Sequence, residues 1–114
     1  MKLPGSAVAL NIADKFADLN AVTITSITTV ITPTSGKTAR LLGGTISVSA
    51  ASSVLFEDNA GGTTVFRTPK LAADTPYTFS LGAAGKVLAA ANNVLKATSS
   101  AAAAITGTLY YAEE

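Results

Sequence analysis

Hydrophobic and polar residues alternate along most of this chain with a period of two, in short runs separated by turn-forming residues. The run PYTFSL (residues 76–81) is the cleanest, with Tyr77, Phe79 and Leu81 on one face and Thr78 and Ser80 on the other. Such alternation marks a strand with one buried and one wet side. VTITSITTVIT (residues 22–32) alternates, slips phase near Ser26 and Ile27, and stops at Pro33, which predicts a bulge or a break between two short strands. In the run 37–50, Ile46, Val48 and Ala50 share one face, and Thr45, Ser47 and Ser49 the other. Residues 53–58 place Val54 and Phe56 together, Asn59-Ala60-Gly61-Gly62 is turn sequence, and the pattern resumes over 63–67. This predicts a hairpin with a loop longer than two residues. A weaker strand is expected over 94–99. The last run, 103–112, sets Ala103, Ile105, Gly107, Leu109 and Tyr111 against Thr106, Thr108 and Tyr110.

About seven short strands, spaced by roughly ten residues, predict an all-β fold, an antiparallel β-sandwich rather than alternating α/β units. The alanine patches at 89–91 and 101–104 are too short and too closely bracketed by Asn and Ser to form helices, despite alanine's propensity. One helix is expected ahead of the sheet. Asn11 suits an N-cap, Asp14 follows three residues later, and Ile12, Phe16 and Leu19 fall at i, i+4 and i+7. The chain is thus divided into an N-terminal arm, 1–21, carrying one helical turn or a short helix, and a β-sandwich domain, 22–114. The arm either lids one end of the sandwich or docks on another molecule, with Leu10, Ile12, Phe16 and Leu19 as its partner-binding side chains.

Composition narrows the functions. At 114 residues the chain suits one domain, able to bury roughly two-thirds of the surface its unfolded form exposes. Only 13% of residues are charged, about half the average share, so Ser, Thr and Gly must cover much of the surface. The net charge is +1 and the lysines and arginines are scattered singly, so nucleic acid, which calls for a clustered basic stripe, is not an expected partner. No apolar run approaches the roughly 18 residues of a membrane span, and a soluble protein with no membrane partner is expected. Met1-Lys2-Leu3-Pro4-Gly5 breaks where a secretion leader would continue apolar, which suggests synthesis in the cytoplasm.

The stretch TSGKTARLLGG (residues 34–44) contains Gly-Lys-Thr, the end of a phosphate-binding loop. That loop needs a glycine five places earlier and a helix after it. Position 31 is Ile31, Pro33 removes an amide, and a strand follows, so Ser35-Gly36 is expected to be a plain turn. The chain has no histidine and no cysteine, the commonest general base and the most reactive nucleophile, and no enzymatic activity is expected. Asp14, Asp18, Glu57, Asp58, Asp74, Glu113 and Glu114 are expected to solvate the surface. FEDNAGG (residues 56–62) has oxygen ligands before a glycine turn but lacks the alternating acids and distal glutamate of a calcium loop. No metal or other cofactor is expected. Tyr77, Tyr110 and Tyr111 could form a sugar-stacking platform, although strand aromatics more often pack cores.

The order of segments carries a resemblance. GKTARLLGGTISVSAASSVLFED, a glycine turn, PKLAADTPYTFSL, the glycine-rich GAAGKVLAAANNVLKATSS and the closing AAAAITGTLYYAEE resemble the small jelly-roll virion proteins of tailed bacteriophages over residues 36–114. In that family a Gly-Lys start, a final SGTVVY-like strand and alanine-rich filler recur. Here Gly36-Lys37 and residues 105–111 occupy the matching places. The resemblance implies a β-sandwich of jelly-roll type, assembled as a homotrimer, acting as a capsid decoration or cement protein on the outside of the head. Its partners would be itself and the major capsid protein or another virion protein. The resemblance carries no functional residue across and leaves out the first 21 residues. A tail, neck or baseplate component is the alternative address. A glycan-binding module, using Tyr110 and the loops around 58–62, is the alternative activity.

Overall fold

The structure, a computed structural model, describes residues 15–59 and 62–114. These form nine strands: β1 (Lys15–Thr23), β2 (Thr28–Ile31), β3 (Ala39–Val48), β4 (Val54–Asp58), β5 (Thr64–Arg67), β6 (Tyr77–Ser80), β7 (Lys86–Val87), β8 (Leu95–Ser99) and β9 (Ala104–Glu113). There is no helix among the described residues.

The pairing follows one rule. The chain doubles back on itself as a single long hairpin, so that β1 pairs with β9, β2 with β8, β3 with β6 and β7, and β4 with β5, all antiparallel. Two further pairings, β3 with β9 and β4 with β8, roll that hairpin into two sheets. The first has the order β1-β9-β3-β6, with β7 also on β3, and the second β2-β8-β4-β5. The two sheets pack face to face as a sandwich, which satisfies the backbone by ladders and lets each strand bury alternate side chains.

The alternation read from the sequence sorts the side chains accordingly. Ile46 and Val48 of β3, Val54 and Phe56 of β4, and Ile105 and Leu109 of β9 are buried. At the centre Phe56 and Phe66 of one sheet meet Phe79 of the other, with ring centroids 5.9 and 4.6 Å from Phe79. Each such side chain contributes about 1.5–3 kcal/mol relative to an exposed position. Two buried hydroxyls are partnered, Thr68 Oγ1 accepting from the Val54 amide at 2.9 Å and Ser99 Oγ donating to the Ile24 carbonyl at 3.0 Å, whereas Thr98 Oγ1 is buried without a partner. The two longest strands, β3 and β9, approach very closely at Gly107, which has φ 144° and where a Cβ would stand 2.1 Å from the Thr45 carbonyl oxygen. Only glycine fits there.

The break expected within residues 22–32 is present, between Thr23 and Thr28, with Ile24 fully buried at the crossing from one sheet to the other. The hairpin of β4 and β5 is also as expected. The helix spacing of Phe16 and Leu19 is not realised, because both residues lie in β1. The reason is tertiary. Strand β9 offers an unpaired row of backbone groups on that side, and residues 15–23 satisfy it with their own. Strand β1 therefore runs across the expected boundary between arm and sandwich at residue 21. Asn11, Ile12 and Leu10 lie outside the described residues. The two-residue β7 carries too little pattern to be read from sequence.

Candidate functional site

The outward face of the first sheet is organised in cross-strand rows. In one row Asp18 of β1, Thr108 of β9, Thr45 of β3 and Thr78 of β6 are successive neighbours. Their side chains bond in two pairs, with Thr108 Oγ1 donating to Asp18 Oδ1 at 3.2 Å and the Thr45 and Thr78 hydroxyls 3.0 Å apart. This is a polar ladder of threonines with an acid at its β1 end.

The adjacent row is different. It runs Phe16, Tyr110, Gly43, Ser80. Phe16 is 64% exposed, and its ring meets Tyr110 edge-on with centroids 5.5 Å apart. Beyond Tyr110 the surface sinks into a depression of about 440 Å³, with Tyr110 on the β9 side, Thr78 and Ser80 on the β6 side, Leu42 beneath, and Gly82 and Ala83 at one end.

Two local features make this depression. Strand β3 shifts register against β9 between Leu41 and Gly43, so Leu42 is an extra residue. At Gly43 the neighbouring strand is so near that a Cβ would stand 2.5 Å from the Phe79 carbonyl oxygen, which excludes every side chain there. The turn that closes the end is held by Arg40, whose Nη1 donates to the Ala84 carbonyl at 2.5 Å while Nη2 donates to Glu114 Oε1 at 2.7 Å.

The remaining candidates are dispersed. Leu19 is only 6% exposed and lies on the opposite side of β1 from Phe16, in the core, so it is not presented to a partner. Ser35-Gly36 forms the expected turn, in which the Lys37 amide donates to the Thr34 carbonyl at 2.9 Å. The Gly36 amide donates to Asn92 Oδ1 at 2.7 Å and is thereby occupied. Asp58, expected at the surface, is buried. Its carboxylate accepts from the Ala89 amide at 2.6 Å and from Asn93 Nδ2 at 2.8 Å, pinning the segment before β8 to the end of β4. No cluster of three or more acids, histidines or cysteines occurs among the described residues.

The tyrosines do not form one platform. Tyr110 faces outward, Tyr111 is buried, and Tyr77 stacks toward Phe79 at 6.3 Å. Glu113 has its carboxyl held below the usual carboxylate range, chiefly because its Oε2 accepts from the Thr34 amide at 2.7 Å. The Lys15 ammonium, 3.8 Å from Oε1, acts in the same direction, and Lys37 adds to it, against the opposing effect of burial.

No family model, no curated protein and no solved structure matches this chain.

Proposed function

We propose that this chain is a non-enzymatic structural protein of a tailed-phage virion, a capsid decoration protein that assembles as a homotrimer and binds the major capsid protein on the outside of the head. The observation that carries this reading is the winding. A long hairpin rolled so that its limbs alternate between two antiparallel sheets is the way a jelly-roll sandwich is built, and the strand orders β1-β9-β3-β6 and β2-β8-β4-β5 fit it. That winding supports the family resemblance, which rests on the order of sequence segments.

The surface is compatible with the role. A protein that coats a lattice binds many copies of one surface by shape and hydrogen bonding, which a threonine-rich face with a net charge of +1 suits better than a strong charge. Light scattering of the purified chain, followed by its incubation with heads lacking it, tests the proposal. A trimer that saturates the heads is the expected result. Absence of binding to heads overturns the decoration role, and cross-links to tail or neck proteins in intact virions would move the protein there.

A further inference from the structure

We propose that the depression beside Tyr110 is the docking site of the chain's own N-terminal segment, with Val8, Leu10 and Ile12 as the side chains that enter or cover it. This goes beyond the virion reading and holds whatever the protein attaches to.

Three observations converge. First, the row Phe16, Tyr110, Gly43, Ser80 is the apolar part of an otherwise polar face, and it leaves Phe16 64% exposed beside a depression of about 440 Å³. That space takes more than one branched aliphatic side chain. Val87 of β7, 48% exposed, pairs with Arg40 next to the same end of β3 and extends the apolar area.

Second, the sequence before β1 has matching side chains in matching phase. Val8, Leu10 and Ile12 alternate with the smaller or polar Ala9, Asn11 and Ala13. An extended segment of this composition has one apolar side. The residues that helical spacing selects, Ile12, Phe16 and Leu19, do not share a side in a strand. Val8, Leu10 and Ile12 do.

Third, the chain enters the sheet at the right place. Lys15 pairs with Tyr111, one residue from Tyr110, so residues 1–14 start at the end of the sheet where the depression lies. Gly43 is two strands from β1, about 10 Å away at the usual spacing. Leu10, six residues before Phe16, has a contour of roughly 20 Å, which allows a reversal and return. Tethering at this range gives an effective concentration on the order of millimolar, which favours the chain's own segment over that of a second copy.

The chain has no cysteine, which makes site-specific spin labelling simple. A nitroxide on Ala83→Cys, at the end of the depression, is expected to broaden the amide resonances of Val8 to Ile12 severalfold more than a nitroxide on Thr29→Cys, which is exposed on the other sheet. The effect should survive tenfold dilution and vanish when label and isotope are on different chains. Ser80→Arg, an exposed position that would fill the depression, should abolish it. So should Leu10→Asp with Ile12→Asp, which changes none of the nine described strands and keeps the test valid if Ser80→Arg unfolds. Equal broadening from both labels, broadening only between chains, or broadening that persists in the Leu10→Asp, Ile12→Asp chain overturns the proposal.

Discussion

Two aromatic groups in this protein pack at similar ring distances in opposite surroundings. Phe56, Phe66 and Phe79 pack between the sheets with centroids 4.6 to 6.5 Å apart, Phe56 and Phe79 buried and Phe66 half-buried. Phe16 and Tyr110 meet at 5.5 Å on the outside of one sheet, and most of Phe16 faces solvent. The rings of the core group lie within 32° of parallel and those of the surface pair at 90°, but the spacing is similar in both. What differs is the apolar area removed from water, which dominates the energetics. Strand β1 carries the contrast within four residues, since the larger Phe16 is outside and the smaller Leu19 inside. Parity against β9 decided that, and hydrophobicity did not.

The contrast can be broken from the inside first. Phe56→Ala should cost about 3–5 kcal/mol in denaturant unfolding, because its cavity lies between two sheets that cannot both collapse. Leu19→Ala, on an edge strand that relaxes more readily, should cost about 2–3 kcal/mol by the same measurement. Phe16→Ala should cost less than about 1 kcal/mol, a T-shaped contact with little burial. A loss comparable to that of Leu19→Ala would mean that Phe16 is covered in solution. Ala21 holds φ 53° at the register shift in β1, a conformation that glycine adopts without penalty. Ala21→Gly should therefore raise stability by about 0.5 kcal/mol, sharpening the view that β1 is held by pairing rather than by local preference.

The smallest effect is expected at Glu113. Its folded-state pKa is depressed, so its contribution is full above the unfolded carboxylate value near 4.5 and is lost as pH falls through the lower folded value. Stability measured through that acid window should fall less steeply in Glu113→Gln than in the parent.

Much of the fold was legible in the alternation. Strands β3, β4, β6 and β9 bury the faces that their sequences announce, and the turn at Ser35-Gly36 and the break after Thr23 follow from local residues. The candidate site was not legible. Its depression depends on a register shift at Leu42, which leaves no mark in the residues, and on the close approach of β6 to Gly43, marked only by a glycine inside a strand. Of the side chains named for partner binding, Phe16 lies on the outer face, Leu19 is in the core, and Leu10 and Ile12 lie outside the described residues. The sugar platform failed for a similar reason: Tyr110 and Tyr111, adjacent in sequence, are on opposite sides of a strand.

Alternation alone determined that this chain is built of strands with one buried face, because period two is a property of each strand by itself. Tertiary structure decided which strands became neighbours, that residues 15–23 joined the sheet rather than forming a helix, and that Asp58 went inside. In each case a distant partner supplied the missing backbone or side-chain hydrogen bonds, and the free energy of those pairings outweighed the weak local preference.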